Sequence, residues 1–330
     1  MKDQTATINS TPQSKSVHLD AVLHSITWAA KHICLFDLRP ERGQHFPAVQ
    51  AGAHVDIHLA NGLIRSYSIV NSQDEGDRYL IAVKNEVTGR GGSRFIHTEL
   101  RVGQHLRIGA PRNNFRLCED ASHSVFIAGG IGITPLYSMI QRLQKLGRSW
   151  ELHYAAANRE YAAFVEQLAK LGSGVHFYFG SDEPNAGVLN IRETIDASNS
   201  DSDFYCCGPA GMLADFEAAT ASIPSSRVHV EYFNARDEPA IEGGFEVVLQ
   251  RSGERFTVDS GETILDALIK RGVDVPYSCM EGVCGSCQVG VIEGTPDHRD
   301  LILSKEEREA NDRMLICCSG SKSAKLVLDL

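Results

Sequence analysis

The chain has 330 residues and a formal net charge of −10. That length exceeds what one hydrophobic core usually organises, so two or three domains are expected, and the acidic balance argues against nucleic acid or an anionic membrane while suiting a basic patch on a protein partner. No stretch approaches the ~18 apolar residues of a membrane helix, and the polar start from Met1 to Ser16 lacks the apolar core of a signal peptide, which points to the cytoplasm.

Met1 to Ser16 is expected to be disordered. From Val17 to about Leu117 short alternating runs, such as His54 to Leu59 and Tyr79 to Lys84, are separated by the turn residues Asn61-Gly62 and Asp74 to Asp77. They predict antiparallel strands of a small barrel. After Ser122 the period changes. Val125 to Ala128 reads as an apolar strand, and Leu136, Met139, Ile140 and Leu143 recur at helical spacing up to Leu146. Strands at 152–156, 175–179, 204–207 and 228–233 alternate with helical stretches such as 161–171, predicting a mostly parallel sheet. Asn234 to Gly244 reads as a charged linker. Beyond it, 245–249 and 255–258 flank Ser252-Gly253 as a hairpin, and 263–270 predicts a short helix closed by Gly272. The expected division is 1–16, 17–118, 119–235, a linker at 236–244, and 245–330.

Nine cysteines form an odd number, and five lie between Cys279 and Cys318, which fits metal or redox chemistry better than disulfides. Cys279, Cys284 and Cys287 have the C-x4-C-x2-C spacing, and a distant fourth thiolate completes the plant-type [2Fe–2S] ligand pattern. A four-thiolate zinc ribbon would show two C-x2-C pairs instead. Gly282 and Gly285 permit the backbone to turn its amides toward the sulfurs, and Ser278 and Ser286 offer further donors. By sequence alone either Cys317 or Cys318 can reach the fourth position. Cys34, Cys118 and Cys206 read as packing residues. The 13 histidines show no metal-ligand or triad spacing.

Three further segments carry binding chemistry. Arg65-Ser66-Tyr67-Ser68 offers a guanidinium for a phosphate and an aromatic face for a flavin ring. Gly89-Arg90-Gly91-Gly92-Ser93 feeds a helical stretch from Arg94 to Leu100, where free N–H groups favour an anion. Gly129-Gly130-Ile131-Gly132-Ile133-Thr134-Pro135 follows a buried strand and opens a helix, and Cys206-Cys207-Gly208-Pro209-Ala210-Gly211-Met212 ends a later strand in the same way. Two glycine turns at the strand ends of one sheet bracket a dinucleotide crevice.

The order RSYS, GGS, GGIGITP, CCGPAGM and a C-terminal C-x4-C-x2-C resembles the phthalate dioxygenase reductase family of the ferredoxin–NADP reductase superfamily. The resemblance covers nearly the whole chain after Val17. It implies an antiparallel flavin-binding β-barrel, a parallel α/β nicotinamide-binding domain and a C-terminal plant-type ferredoxin domain of β-grasp fold. It further implies FMN, NADH specificity and, as electron acceptor, the Rieske centre of a non-haem iron oxygenase of dioxygenase or O-demethylase type. The interval from Cys287 to Cys317 matches the ferredoxin pattern, so Cys317 is implied as fourth ligand and Cys318 as a buried apolar residue. Carried over by motif, Arg65, Ser66, Tyr67 and Ser68 lie at the flavin, with Lys84 nearby and Gly91, Gly92 and Ser93 by the FMN phosphate. Thr134, Cys207 and Gly208 border the nicotinamide, with Ser68, Thr134 and Cys207 nearest the reacting atoms. Gly130 and Gly132 admit the pyrophosphate, and Phe233 lies near the flavin or in the core. Arg159 can meet a 2′-phosphate, whereas Glu160 and Asp182 favour ribose hydroxyls.

The resulting expectation is a monomeric, cytoplasmic electron-transfer enzyme. Its rivals are a general NAD(P)H-dependent flavin and iron–sulfur reductase for another acceptor, an enzyme acting directly on an organic substrate, and a redox sensor. Hydride transfer between two stacked cofactors demands no acid or base from the protein, only positioning.

Overall fold

Turn chemistry and strand alternation build the first layer of the computed structural model, which describes residues 18–180 and 188–330. Six strands, β1 (His18–Ala30), β2 (Ile33–Pro40), β3 (His54–His58), β4 (Ile64–Ser68), β5 (Tyr79–Lys84) and β6 (His105–Gly109), form an antiparallel sheet in the order β4-β3-β6-β1-β2-β5. A bridge between Ile69 and Ile81 joins its outer strands and closes the barrel, which removes the exposed edges an open sheet would present. Gly62 supplies the positive φ of 83° in the β3–β4 turn. Helix α1 (Gly92–Glu99) caps the barrel between β5 and β6.

The second sheet is parallel throughout. Its strands are β7 (Ser124–Gly129), β8 (Trp150–Ala156), β9 (Val175–Phe179), β10 (Asp203–Cys207) and β11 (Val228–Glu231), in the order β11-β10-β7-β8-β9. Helices α2 (Ile133–Leu146), α3 (Val165–Ala169), α4 (Ile191–Ala197) and α5 (Ala210–Thr220) make the crossovers. The helical expectation for 161–171 is corrected here. Only α3 and a short 3-10 turn at Arg159–Tyr161 form, because Phe164 takes a left-handed φ of 63° that interrupts a helix and stacks its ring on Tyr137 at 4.4 Å. The last strand also stops at Glu231, short of Phe233.

The third sheet gathers β12 (Phe245–Leu249), β13 (Arg255–Val258), β14 (Gln288–Glu293), β16 (Arg313–Leu315) and β18 (Lys325–Leu328) in the order β13-β12-β18-β14-β16. A two-stranded pair, β15 (Pro296–Asp297) and β17 (Gly320–Ser321), lies beside it. Helix α6 (Ile264–Lys270) starts at a capping box between Thr263 and Asp266, and α7 (Lys305–Ala310) at one between Ser304 and Glu307, which satisfies orphan N–H groups at both ends of the box. The segment 234–244 carries no helix or strand, yet Ala240 is buried and its N–H donates to the Cys318 carbonyl at 2.7 Å.

The barrel and the parallel sheet share a core. Ala30, Ile33, Val70 and Ala82 of the first pack with Phe126, Met139 and Tyr154 of the second, whereas the third sheet keeps a separate cluster around Val247, Leu265 and Leu326. Gly52 sits in the shared interface. Its N–H donates to Ser138 Oγ at 3.1 Å, its φ is +88°, and a β-carbon there would lie 2.0 Å from the Phe115 carbonyl oxygen. Gly62 has an equally positive φ but nothing within 4 Å of such an atom. Gly62→Ala is therefore expected to cost about 1 kcal/mol, the left-handed penalty alone. Gly52→Ala adds a backbone clash and is expected to cost roughly 3 kcal/mol or more. Thermal melts of the two variants would read the difference.

Candidate functional site

One cavity of about 270 Å³ lies where the three sheets meet. Strand β4 lines it with Arg65, Ser66, Tyr67 and Ser68, the end of β5 with Lys84, and the start of α1 with Gly92 and Ser93. The parallel sheet contributes Ile131, Thr134 and Glu231 to Asn234, and the cysteine loop contributes Cys279, Glu281, Val283 and Cys284. A site assembled from the ends of elements in three layers follows from the fold, because strand ends and helix N-termini leave backbone groups unpaired.

On the barrel side Arg65 donates to the carbonyl oxygens of Ile64 at 2.7 Å and Arg90 at 3.3 Å. Its side chain crosses Gly92, where a β-carbon would lie 2.5 Å from Arg65 Nε, so the glycine is needed for this pose. Burial, then the Arg90 charge, lowers the Arg65 pKa from its ordinary value. Gly91, with φ 82°, turns the chain into α1. Ser93 Oγ accepts from the Glu86 N–H at 3.0 Å, and Lys84 pairs with Glu86. Burial raises the Tyr67 phenol well above its usual range and keeps it neutral. Ser66 Oγ donates to Asp56 Oδ1 at 2.7 Å and lies 3.2 Å from Ser278 Oγ in the cysteine loop. Behind it Arg112 meets Asp56 at 2.8 Å, and burial followed by the Arg112 charge lowers His54 to about 4.

On the parallel-sheet side Thr134 and Phe233 reach the cavity, but the structure does not bring Cys207, Gly208, Gly130 or Gly132 to its wall. Cys207 is fully buried. Gly132 permits close approach of the two glycine turns, since a β-carbon there would lie 2.2 Å from the Cys207 carbonyl oxygen. Gly130, with φ +54°, has open space instead. Arg159 lies over the Phe179 ring at 5.9 Å and Glu160 pairs with Lys31 at 2.7 Å. Met1 to Ser16 and Asp182 lie outside the described residues.

The cysteine loop brings the Cys279, Cys284, Cys287 and Cys317 thiols close enough to shift one another's titration. Cys284 Sγ donates to Ser286 Oγ at 3.3 Å. All four cysteines are buried. The Glu281 N–H donates to Cys279 Sγ at 3.3 Å, and Gly282 and Gly285 hold φ of 70° and 75°. Cys318 points away, its Sγ 3.8 Å from the Leu315 carbonyl and against Gly282. The Cys279 thiol and burial push the Cys284 pKa up, and the Cys317 thiol and burial do so at Cys287. Such thiols deprotonate when a metal takes them as ligands. Four buried cysteines on and beside one loop, with a backbone amide turned onto a sulfur, fit a [2Fe–2S] cluster, which they would hold as thiolates.

Residues that sequence reasoning passed over tie the loop in place. Arg90 donates to the Cys279 carbonyl at 3.1 Å and pairs with Glu281 at 2.9 Å, while Asn114 donates to the Cys284 carbonyl at 2.9 Å. Arg90 was visible inside the glycine turn, but its partner, far along the chain, was not. Glu231, two residues before Phe233, also lines the cavity. Its Oε2 has no hydrogen-bond partner, and burial pushes its pKa up to about 8.

Comparison with known proteins agrees with this layout. Residues 20–117 match the oxidoreductase FAD-binding domain, 126–218 the oxidoreductase NAD-binding domain, and 247–321 the 2Fe-2S iron–sulfur cluster binding domain. The chain is 50% identical to phenoxybenzoate dioxygenase subunit beta of Ectopseudomonas oleovorans over 93% of its own length and 96% of that protein's. It is 49% identical to tetrachlorobenzoquinone reductase of Sphingobium chlorophenolicum over 94% and 98%. The crystal structure of phthalate dioxygenase reductase superposes with a TM-score of 0.72 at 35% identity, covering 95% of this chain and 98% of that one. With the same three domains in the same order over nearly the full length of its relatives, the chain belongs to the phthalate dioxygenase reductase family and is an NADH-dependent flavin and iron–sulfur oxidoreductase.

Proposed function

We propose that the chain is the monomeric, cytoplasmic reductase of a two-component oxygenase system, that its flavin is FMN, and that its acceptor is the Rieske centre of a non-haem iron dioxygenase or O-demethylase. The carrying observation is the single cavity walled by Tyr67 and Ser68, by Thr134 and Phe233, and by Cys279 and Cys284. A flavin held by these residues would supply the conversion of a two-electron hydride from the nicotinamide into single electrons for a cluster on the cysteine loop. The residues position rather than react. Tyr67 and Phe233 offer apolar ring faces, Ser68 and Thr134 offer hydroxyls, and the buried Cys207 lies behind the wall as support. No helix among the described residues is long and apolar enough to cross a membrane.

Support for FMN comes from where the cations sit. Arg65 donates hydrogen bonds to backbone carbonyls beside the N-terminus of α1, and the carboxylate that acts on it, Glu281, is itself paired with Arg90. That is a phosphate setting, with Gly91, Gly92 and Ser93 supplying backbone N–H groups. Just beyond, Arg90 closes the gap to the cysteine loop, leaving a terminal phosphate better housed than a dinucleotide extension. A second reading takes a quinone as acceptor, favoured by the 49% identity to tetrachlorobenzoquinone reductase.

Acid extraction and chromatography of the bound flavin is expected to give FMN, and recovery of FAD would reject that assignment. Reconstitution with the oxygenases encoded nearby is expected to support NADH-dependent hydroxylation or demethylation. Failure with all of them, beside rapid turnover of a chlorinated benzoquinone, would favour the quinone reading. Replacing Cys287 with serine should reduce electron delivery to the oxygenase at least ~100-fold while NADH still bleaches the flavin in stopped flow; equal loss of both in a folded variant would contradict the order of transfer.

Glu231 gives a pH prediction. With its pKa raised from 4.5 to about 8, the folded state keeps a proton that the unfolded chain releases. Its contribution to stability is complete below about 4.5 and lost as pH rises to about 8. Glu231→Gln stays neutral throughout, so urea melts of the flavin-free proteins at acid and alkaline pH should show a flatter decline in the variant, by up to about 5 kcal/mol.

A further inference from the structure

The outer part of the parallel sheet carries a polar cluster that the electron-transfer site does not use. Residues two apart on a strand share a face, so Glu151 and His153 of β8 project together while Leu152 and Tyr154 enter the core. Strand β9 runs parallel with His176 directly beside His153, and the two imidazoles stack with centroids 4.9 Å apart. One ligand atom from each of Glu151, His153 and His176 lies within 4.8 Å of the others. Sequence spacing does not show this cluster; strand register brings together residues far apart in the chain.

His153 supplies an independent observation. It is 9% exposed, and its Nε2 is buried without a hydrogen-bond partner, a state native structures rarely leave unexplained. That nitrogen lies 3.8 Å from Glu151 Oε1. The gap is too long for a hydrogen bond. It is close to the ~3.3–3.5 Å that separates two ligands each about 2.0–2.2 Å from a tetrahedral ion. The other ring nitrogen, Nδ1, lies 2.9 Å from Tyr178 Oη. A proton on Nδ1 donated to Tyr178 fixes the ring and leaves the Nε2 lone pair facing Glu151, the arrangement that orients metal-binding histidines. His123 flanks the carboxylate on its far side, with Nε2 3.9 Å from Glu151 Oε1 and Nδ1 2.7 Å from Ser149 Oγ.

We propose that Glu151, His153 and His176 bind one divalent transition-metal ion of the zinc class, at a site separate from the cluster cysteines. Two imidazoles and one carboxylate are borderline donors that favour such an ion over magnesium or calcium, which prefer all-oxygen surroundings. Three protein ligands leave a fourth position for water on the side of the exposed His176. The ion ties β9, the edge strand of the sheet, to β8, and stabilises the folded chain by mass action.

The test uses the full-length protein with flavin and cluster in place, dialysed against buffered zinc in excess magnesium, with zinc and iron counted together. Wild type is expected to take up one zinc per chain with its iron unchanged and to melt at higher temperature with zinc than without. His176→Ala removes an exposed ligand and Glu151→Gln a half-buried one, and each is expected to weaken zinc affinity by about 100-fold; Tyr178→Phe, which only frees the ring, by about 10-fold. NADH-driven ferricyanide reduction and the visible spectrum verify that the variants are folded. No stoichiometric uptake by wild type, uptake undiminished in both ligand variants, or zinc gained only as iron is lost would each overturn the proposal.

Discussion

The Arg90 guanidinium joins two loops whose proximity the rest of the site requires. It leaves the glycine turn ahead of α1, donates to the Cys279 carbonyl and pairs with Glu281. That span places the cysteine loop against the cavity that Tyr67 and Thr134 also line. Ser66 against Ser278 and Asn114 on the Cys284 carbonyl add two further links along the same seam. Each link uses a backbone carbonyl, a hydroxyl or a carboxylate rather than an apolar side chain, so the cysteine loop is held by direction as much as by burial. Directional bonds fix a geometry closely while contributing little net energy each, of order 1 kcal/mol.

The two interfaces of the molecule differ in kind. Barrel and parallel sheet are joined through a shared hydrophobic core, with Gly52 pressed against the Phe115 carbonyl and bonded to Ser138. Large shared cores make two sheets behave as one packed body. The third sheet buries its own cluster, and meets the barrel through the polar seam. Stability of the nicotinamide–flavin half therefore rests on packing, whereas placement of the cluster rests on a few named hydrogen bonds. Substitutions in the seam are expected to alter electron transfer more than folding.

Much of this architecture was legible because its signals are local. The C-x4-C-x2-C spacing, the two glycine turns after buried strands, and the hairpin at Ser252-Gly253 each lie within a few residues and fold where expected. What escaped depends on distant register. Arg90 needs Glu281, Asn114 needs Cys284, and His176 becomes a neighbour of His153 only once β8 and β9 align. The failed helix at 161–171 has the same origin. Its apolar spacing is compatible with a helix, but stacking of Phe164 on Tyr137 imposes a left-handed residue that no local pattern announces. Gly132 shows a subtler limit. A glycine beside a dinucleotide crevice suggests ligand approach, yet here the crowding atom is the Cys207 carbonyl oxygen of the chain itself.

Most charges around the cavity are already paired within the chain. Lys84 is paired with Glu86 and Arg90 with Glu281, and burial keeps the Glu231 carboxyl protonated to about 8. Arg65 is the exception. It meets backbone carbonyls, and burial with the Arg90 charge lowers its pKa. Arg65 is partly buried, and the carboxylate that acts on it, Glu281, is already paired with Arg90. Against these charges, burial keeps the Tyr67 phenol and the Glu231 carboxyl neutral on the same cavity wall.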